Sequence, residues 1–244
     1  MNVLVFLSLG VVLFPFFVLL LYTITRSKSS LFPWFAIGIQ AITFTISIYL
    51  FISIFGYTPV NQSFDWLKLT EGISFSFGLY LDDHSVLMLL VVQLVSLLVH
   101  IYSFVYFEGE TSRNRFFGFL GLFICAMNGL VLADNLLMLF VFWELVGFAS
   151  YLLIGFWFDR DGAVAASKKA FIINRIADLG FMAAIVIFWS QYDTLNIHQL
   201  KYVIFHFHES FAWLHIAGFG LFLACMGKSA QFPFQIWLPD AMEG

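Results

Sequence analysis

Glu144 stands in the middle of Val131–Gly155 (VLADNLLMLFVFWELVGFASYLLIG), which is almost wholly apolar after Asp134. Arg175 and Asp178 lie three residues apart in a later apolar stretch, and Lys228 lies in the last one. Ionisable groups at such depth are costly in hydrocarbon, and by default they mark an ion or proton path. Each type brings different chemistry. A buried carboxylate can change its proton state or redirect its field when a cation is near. Arginine keeps its proton, so Arg175 acts electrostatically, biasing Glu144 and Asp178. A lysine held away from water can cycle between charged and neutral, which makes Lys228 the better carrier. The competing readings are structural. Glu144 can be tied to an arginine, Arg175 and Asp178 can close an i, i+3 bridge on one helix face, and Lys228 can snorkel to an interface. Snorkelling serves Glu144 poorly, because the side chain is short and Leu136–Trp143 before it is wholly apolar.

Other titratable residues are weighed in the same way. Lys168 and Lys169 stand at the head of their span, where topology accounts for most of their signal, although Lys169 can also help admit protons. His100, within the third span, is a candidate relay member because histidine titrates near neutral pH; packing or interfacial placement explains it equally well. His84 flanks the third span; His198, His206, His208 and His215 lack convincing metal-ligand spacing apart from His206-x-His208, and no metal is assigned. Asp82 and Asp83 read first as a helix cap and dipole complement. Cys125 and Cys225 lie in apolar runs with no CxxC and read as small buried hydrophobes.

The elements that must position these groups are membrane spans. The 244 residues are 61% hydrophobic and 11% charged, with mean hydropathy +0.94. That composition describes an all-α polytopic membrane protein in contact with the lipid bilayer. The 33 phenylalanines suit lipid-facing helices and also a T-rich organellar coding strand. The net charge of −4 and scattered basic residues exclude a nucleic-acid partner. No haem, flavin, iron–sulfur or GxGxxG motif is present, so no redox cofactor is expected in this chain. The N-terminal apolar run lacks a basic leader and a cleavage site, and is read as a retained span.

About seven spans are expected: Val3–Tyr22, Leu31–Phe55, His84–Tyr106, Arg115–Ala133, Asn135–Phe158, Val164–Trp189, and Ala212 to beyond Phe234. Within Gly56–Asp83, the alternating Ile73–Tyr80 (ISFSFGLY) predicts a small surface hairpin. Helical rise of ~1.5 Å per residue places Glu144 roughly 14 Å and Arg175 roughly 16 Å into their spans, near the midplane of a ~30 Å core. With the N-terminus outside, the inner side holds Arg26, Lys28, Arg113, Arg115, Arg160, Lys168 and Lys169, and the outer links hold Lys68 and Lys201: seven against two, a positive-inside bias. The last segment, GKSAQFPFQIWLPDAMEG, carries Pro233 and Pro239, which predict a broken helix just after Lys228. Two regions are expected: residues 1–112, three helices with the outer-side loop 56–83, and residues 113–244.

Three stretches carry a family resemblance: LADNLLMLFVFWELVGFASYLLIGF, KKAFIINRIADLGF and GKSAQFPFQIWLPDAM. They resemble the antiporter-like membrane subunits, and most closely chain L (chain 5) of proton-pumping NADH:quinone oxidoreductase, respiratory complex I. The resemblance extends back through LDDHSVLMLLVVQLVSLLVHIYSFVYFEGE and is looser over the first two helices. It implies that Glu144 matches the essential glutamate of the fifth helix and Lys228 the proton-carrying lysine of the broken seventh. Arg175 and Asp178 match the charged pair of the sixth helix, and Lys169 a basic position of less settled role. It further implies an inverted-repeat fold of which 113–244 is an incomplete first repeat. The sequence reaches Gly244 where the family continues into an eighth helix, a second repeat and a lateral helix. NADH, FMN, iron–sulfur clusters and quinone are then expected on other subunits, and another antiporter-like subunit as a partner in an energy-coupling inner membrane, bacterial or mitochondrial. Two alternatives stay open: a large subunit of a multisubunit sodium/proton antiporter or related ion-translocating complex, and a structural or assembly membrane protein whose charges are helix–helix glue.

Overall fold

The computed structural model describes residues 3–25, 29–70, 73–206 and 211–244, with the side chains at 65–70, 73–75 and 211 left aside. Arg26, Lys28 and His208, weighed above, lie outside the described residues, as does the side chain of Lys68. The chain divides into two compact units, Met1–Asp134 and Asn135–Gly244.

The first unit holds α1 (Val3–Thr25), α2 (Phe32–Ile54), a hairpin of β1 (Val60–Thr70) and β2 (Ile73–Leu81), α3 (Asp83–Tyr106) and α4 (Arg113–Leu132). Its interior joins an apolar core, with Val11, Leu50, Leu81, Leu89 and Leu132 buried, to a set of buried polar side chains. On α3 the buried positions include Gln93, Ser96, His100 and Ser103, whereas Leu87, Val91, Leu94 and Leu98 are exposed. That inversion fits a lipid solvent, which rewards no apolar burial between helices and leaves hydrogen bonds and close packing to hold them. One buried network does this work. Gln40 on α2 donates to Gln93 Oε1 at 2.6 Å, Thr43 donates to the same oxygen at 3.0 Å, Gln93 donates to Asn128 on α4 at 2.8 Å, and Asn128 donates to the Val11 carbonyl on α1 at 2.9 Å. Four helices are thereby joined through side-chain amides and a hydroxyl. Asp82 caps α3 in a reciprocal capping box with Ser85, as its position predicted.

The hairpin is longer than Ile73–Tyr80 suggested. β2 pairs antiparallel with β1 from Val60↔Leu81 to Thr70↔Ile73, with register shifts at Asp65/Leu67 and Lys68/Thr70. Those shifts break the two-residue alternation, which is why β1 carries no clean strand pattern in sequence.

The second unit holds α5 (Leu136–Ile154), α6 (Asp161–Tyr192), α7 (Ile197–His206), α8 (Phe211–Lys228) and two 3-10 turns, Gln235–Trp237 and Asp240–Glu243. Among the described residues, six helices, α1 to α6, are long and apolar enough to cross a membrane, and α8 is a shorter apolar helix. The chain is thus a multi-pass membrane protein. At ~1.5 Å per residue the 32 residues of α6 span roughly 48 Å, more than a ~30 Å hydrocarbon core. The outer link after α6 contains α7, capped by Asn196 Oδ1 accepting from the His198 and Gln199 N–H groups.

The last span was expected to run beyond Phe234, but α8 ends at Lys228. Ala230 turns left-handed at φ 50°. The Gln231 N–H donates to the Met226 carbonyl and the Ala230 N–H to the Gly227 carbonyl, the paired bonds of a Schellman stop. The helix therefore stops before either proline is reached, and Trp237 Nε1 returns to the Gly227 carbonyl at 3.0 Å.

Replacing Gln93 with Leu removes the centre of the amide network and strands polar groups of Gln40, Thr43 and Asn128. The expected loss is about 1–3 kcal/mol of stability, read as a lower unfolding temperature of the purified membrane protein in detergent, with Leu94→Ala on the exposed face as the near-neutral control.

Candidate functional site

α6 and α8 approach each other through small residues. A Cβ placed on Gly180 would overlap the Gly220 carbonyl oxygen, one on Gly220 would overlap the Gly180 carbonyl, and one on Gly227 would overlap Ala177. Ala184, Ala217 and Ala224 are buried along the same helices. Small-on-small packing of this kind lets helix backbones come close inside a bilayer. It also sets the register of the charges, because Asp178 follows Ala177 and Lys228 follows Gly227 across that seam.

Four of the predicted residues come together in the second unit. Arg175 Nη1 lies 2.6 Å from Glu144 Oε1, linking α6 to α5, and Lys228 Nζ lies 3.9 Å from Asp178 Oδ2, linking α8 to α6. The Glu144–Arg175 contact is short, but Oε1 has no partner in hydrogen-bond geometry, so it is an ion pair whose strength depends on distance more than direction. The i, i+3 pair between Arg175 and Asp178 is not formed; both reach across to other helices instead. Interhelical pairing serves better here because each charge then neutralises one that its own helix cannot reach. By inverse distance alone, Lys228–Asp178 attracts roughly two-thirds as strongly as Glu144–Arg175. Asp178 is 2% exposed, Glu144 17% and Lys228 19%, while Arg175 is 46% exposed. Two acids and two bases make the set formally neutral, which is the condition for holding four ionisable groups at membrane depth.

Lys169 and His100 stand elsewhere. Lys169 pairs with Asp240 of the second 3-10 turn at 2.6 Å, both partly exposed, tying the chain beyond α8 to α6. His100 belongs to the first unit, buried against Phe117, with its Nδ1–H donating to the Ser96 carbonyl at 2.8 Å.

Three residues at these sites were not singled out in the sequence. Trp143 Nε1 donates to Asp178 Oδ1 at 2.6 Å, and its ring lies 5.7 Å from Lys228 Nζ, within cation–π range. Gly147, one turn further along α5, leaves space that the ammonium occupies: a Cβ there would sit 2.6 Å from Lys228 Nζ. Asp240 pairs with Lys169. Of these, Trp143 was findable, because an indole N–H at membrane depth demands an acceptor.

Residues 133–244 match the family described as NADH:quinone oxidoreductase/Mrp antiporter, TM, and residues 66–117 match NADH-Ubiquinone oxidoreductase (complex I), chain 5 N-terminus. The chain is similar to NAD(P)H-quinone oxidoreductase subunit 5, chloroplastic, of Draba nemorosa (36% identical over 244 residues) and of Citrus sinensis (35% over 242). Those alignments cover 98% of this chain and 32% of each relative, so the chain spans about a third of the length of the curated relatives it matches. In fold it resembles a chain of the Mrp complex from Dietzia sp. DQ12-45-1b, with TM-score 0.83, 22% identity, and coverage of 100% of this chain and 25% of that one. It also resembles a chain of the membrane-bound sulfane sulfur reductase, an archaeal respiratory membrane complex, with TM-score 0.81, 21% identity, and coverage of 99% and 47%.

Gly147→Ala is expected to fold normally, since the crowded atom is the free end of a lysine. It should push Lys228 Nζ by about 1 Å to regain ordinary contact distance, a displacement visible by cryo-electron microscopy. An unmoved ammonium would show that Gly147 does not shape the site.

Proposed function

Because the chain belongs to the family of NADH:quinone oxidoreductase and Mrp antiporter membrane subunits, we propose that it is part of a proton-translocating membrane subunit of an NADH:quinone oxidoreductase. Quinone reduction on other subunits, which carry the redox groups, drives proton transfer through Glu144, Arg175, Asp178 and Lys228. The carrying observation is the neutral set of four, with one tight ion pair and one loose one.

Each residue has a role set by its chemistry. Lys228 carries the proton. Asp178 and Glu144 are the anions that favour its ammonium form, and Arg175 is the fixed cation that opposes it. When Glu144 turns toward Arg175, as it does here, less of its field reaches Lys228 and the lysine is left with the looser support of Asp178. When Glu144 is freed from Arg175, its charge again favours an ammonium on Lys228. Movement of one carboxylate between two cations is thereby coupled to uptake and release of one proton. Once Lys228 gives up its proton the set holds a net charge of −1, a state that low dielectric makes costly and short-lived. That cost drives reprotonation.

Residues 113–244 are proposed to belong to the first antiporter-like repeat, with another antiporter-like subunit as neighbour. An N-terminus on the outer side of an energy-coupling membrane is part of this proposal, and the excess of basic residues in the alternate links supports that orientation. Lys169, paired with Asp240, sits where protons are taken up. The sodium/proton antiporter reading uses the same four residues; the 36% identity to a quinone oxidoreductase subunit favours the first.

In inverted membrane vesicles, Lys228→Ala and Glu144→Gln should leave NADH oxidation by artificial acceptors intact while reducing coupled pumping severalfold, followed by quenching of a pH-sensitive dye. Undiminished pumping in both variants rejects the relay.

A further inference from the structure

The Lys228–Asp178 contact is longer than a direct ammonium–carboxylate bond, which closes at about 2.7–2.9 Å, whereas it stands at 3.9 Å. The reason is visible on α5. Trp143 holds Asp178 by one oxygen, Oδ1, through a short 2.6 Å hydrogen bond. Its ring lies beside the ammonium at 5.7 Å, and the bare Cα of Gly147 gives the ammonium room on the same helix face, one turn along. The lysine thus occupies a cradle on α5 while its counter-ion is fixed on α6 by that same helix.

We propose that Trp143 is a positioning residue that keeps the Lys228–Asp178 ion pair open, so that the lysine remains able to give up its proton. The proposal rests on the reading of Lys228 as the carrier. With Oδ1 engaged by the indole, Asp178 offers Lys228 only Oδ2 and cannot rotate to bring both oxygens onto the ammonium. A closed pair would hold the proton on Lys228 and stall the cycle. A weaker hold is partly replaced by the ring face, which favours the cation by contact but forms no directional bond that must break on release. Among the described residues, the charged groups acting on Lys228 are Asp178 and Arg175 on α6 and Glu144 on α5, and Cys225 on its own helix faces Asp178. Of these, Asp178 is the group that the indole N–H restrains.

The test uses the assembled membrane complex in inverted vesicles, with both faces equilibrated to the same starting pH. Trp143→Phe keeps the ring and removes the N–H. A hydrogen bond to a charged group is worth enough to shift an equilibrium by about tenfold or more, so coupled pumping at neutral pH should fall by about that factor while oxidation of NADH by artificial acceptors stays unchanged. Pumping in this variant should recover as the medium is made more alkaline, because a tightly held proton is then drawn off. Trp143→His, which keeps a ring N–H, should pump near the native level at neutral pH. A loss in Trp143→Phe that is equal at every pH, or no loss at all, overturns the proposal. Should Trp143→Phe fail to assemble, Trp143→His decides it: failure of that assembled variant to pump overturns it, and near-native pumping supports it. Lys228→Ala run in parallel separates the two readings. If it pumps normally, the carrier assignment has failed; if it stops pumping while Trp143→Phe is unaffected, only the role of Trp143 has.

Discussion

Everything at the site follows from the cost of a charge that has no water to face. Glu144, Arg175, Asp178 and Lys228 arrive on three helices, and none can stay ionised at that depth without an opposite charge within a few ångströms. The chain meets this constraint with two crossed pairs. Crossed pairs do more than neutralise. They make the proton state of one helix depend on the position of a side chain on another, which an internal i, i+3 pair on α6 could not do.

The packing of the second unit serves that arrangement. Lys228 reaches Asp178 because Gly180 and Gly220 let α6 and α8 approach with carbonyl oxygens where side chains would otherwise stand. It is the last residue of α8 because the Schellman stop at Ala230 ends the helix immediately after it. A lysine at a helix end lies near carbonyls with no intrahelical donor, which favour a cation. The first unit solves a different problem, joining helices in a solvent that offers them no hydrophobic drive. It does so with neutral amides around Gln93. The crossed ion pairs lie in the second unit, and the first is joined by uncharged polar groups.

Much of the fold was legible in the chain. The spans over α1 to α6 follow from runs of apolar residues long enough to cross hydrocarbon, and their ends fell within a few residues of the expected ones. Asp82 announced its cap because an acid followed by Ser85 at the head of an apolar run has few other uses. Strand β1 and helix α7 were hidden, the first because register shifts break its alternation, the second because a ten-residue amphipathic segment between spans has the composition of a loop. The four charged residues stood out because ionisable groups in apolar runs are rare. Trp143 and Gly147 did not, since an aromatic and a glycine are ordinary residues in any membrane helix.

The sequence by itself determined which residues are ionisable at membrane depth, because hydrophobicity and spacing along one helix are local properties that need no partner. Only the tertiary structure decided who pairs with whom. Arg175 and Asp178 are close enough along α6 to bridge each other, yet Arg175 reaches Glu144 while Asp178 is held between Trp143 and Lys228. That choice depends on the distance and rotation between α5, α6 and α8, set by glycines whose function is to be small. Ion-pair strength varies steeply with separation at low dielectric, and separation across helices is fixed by packing.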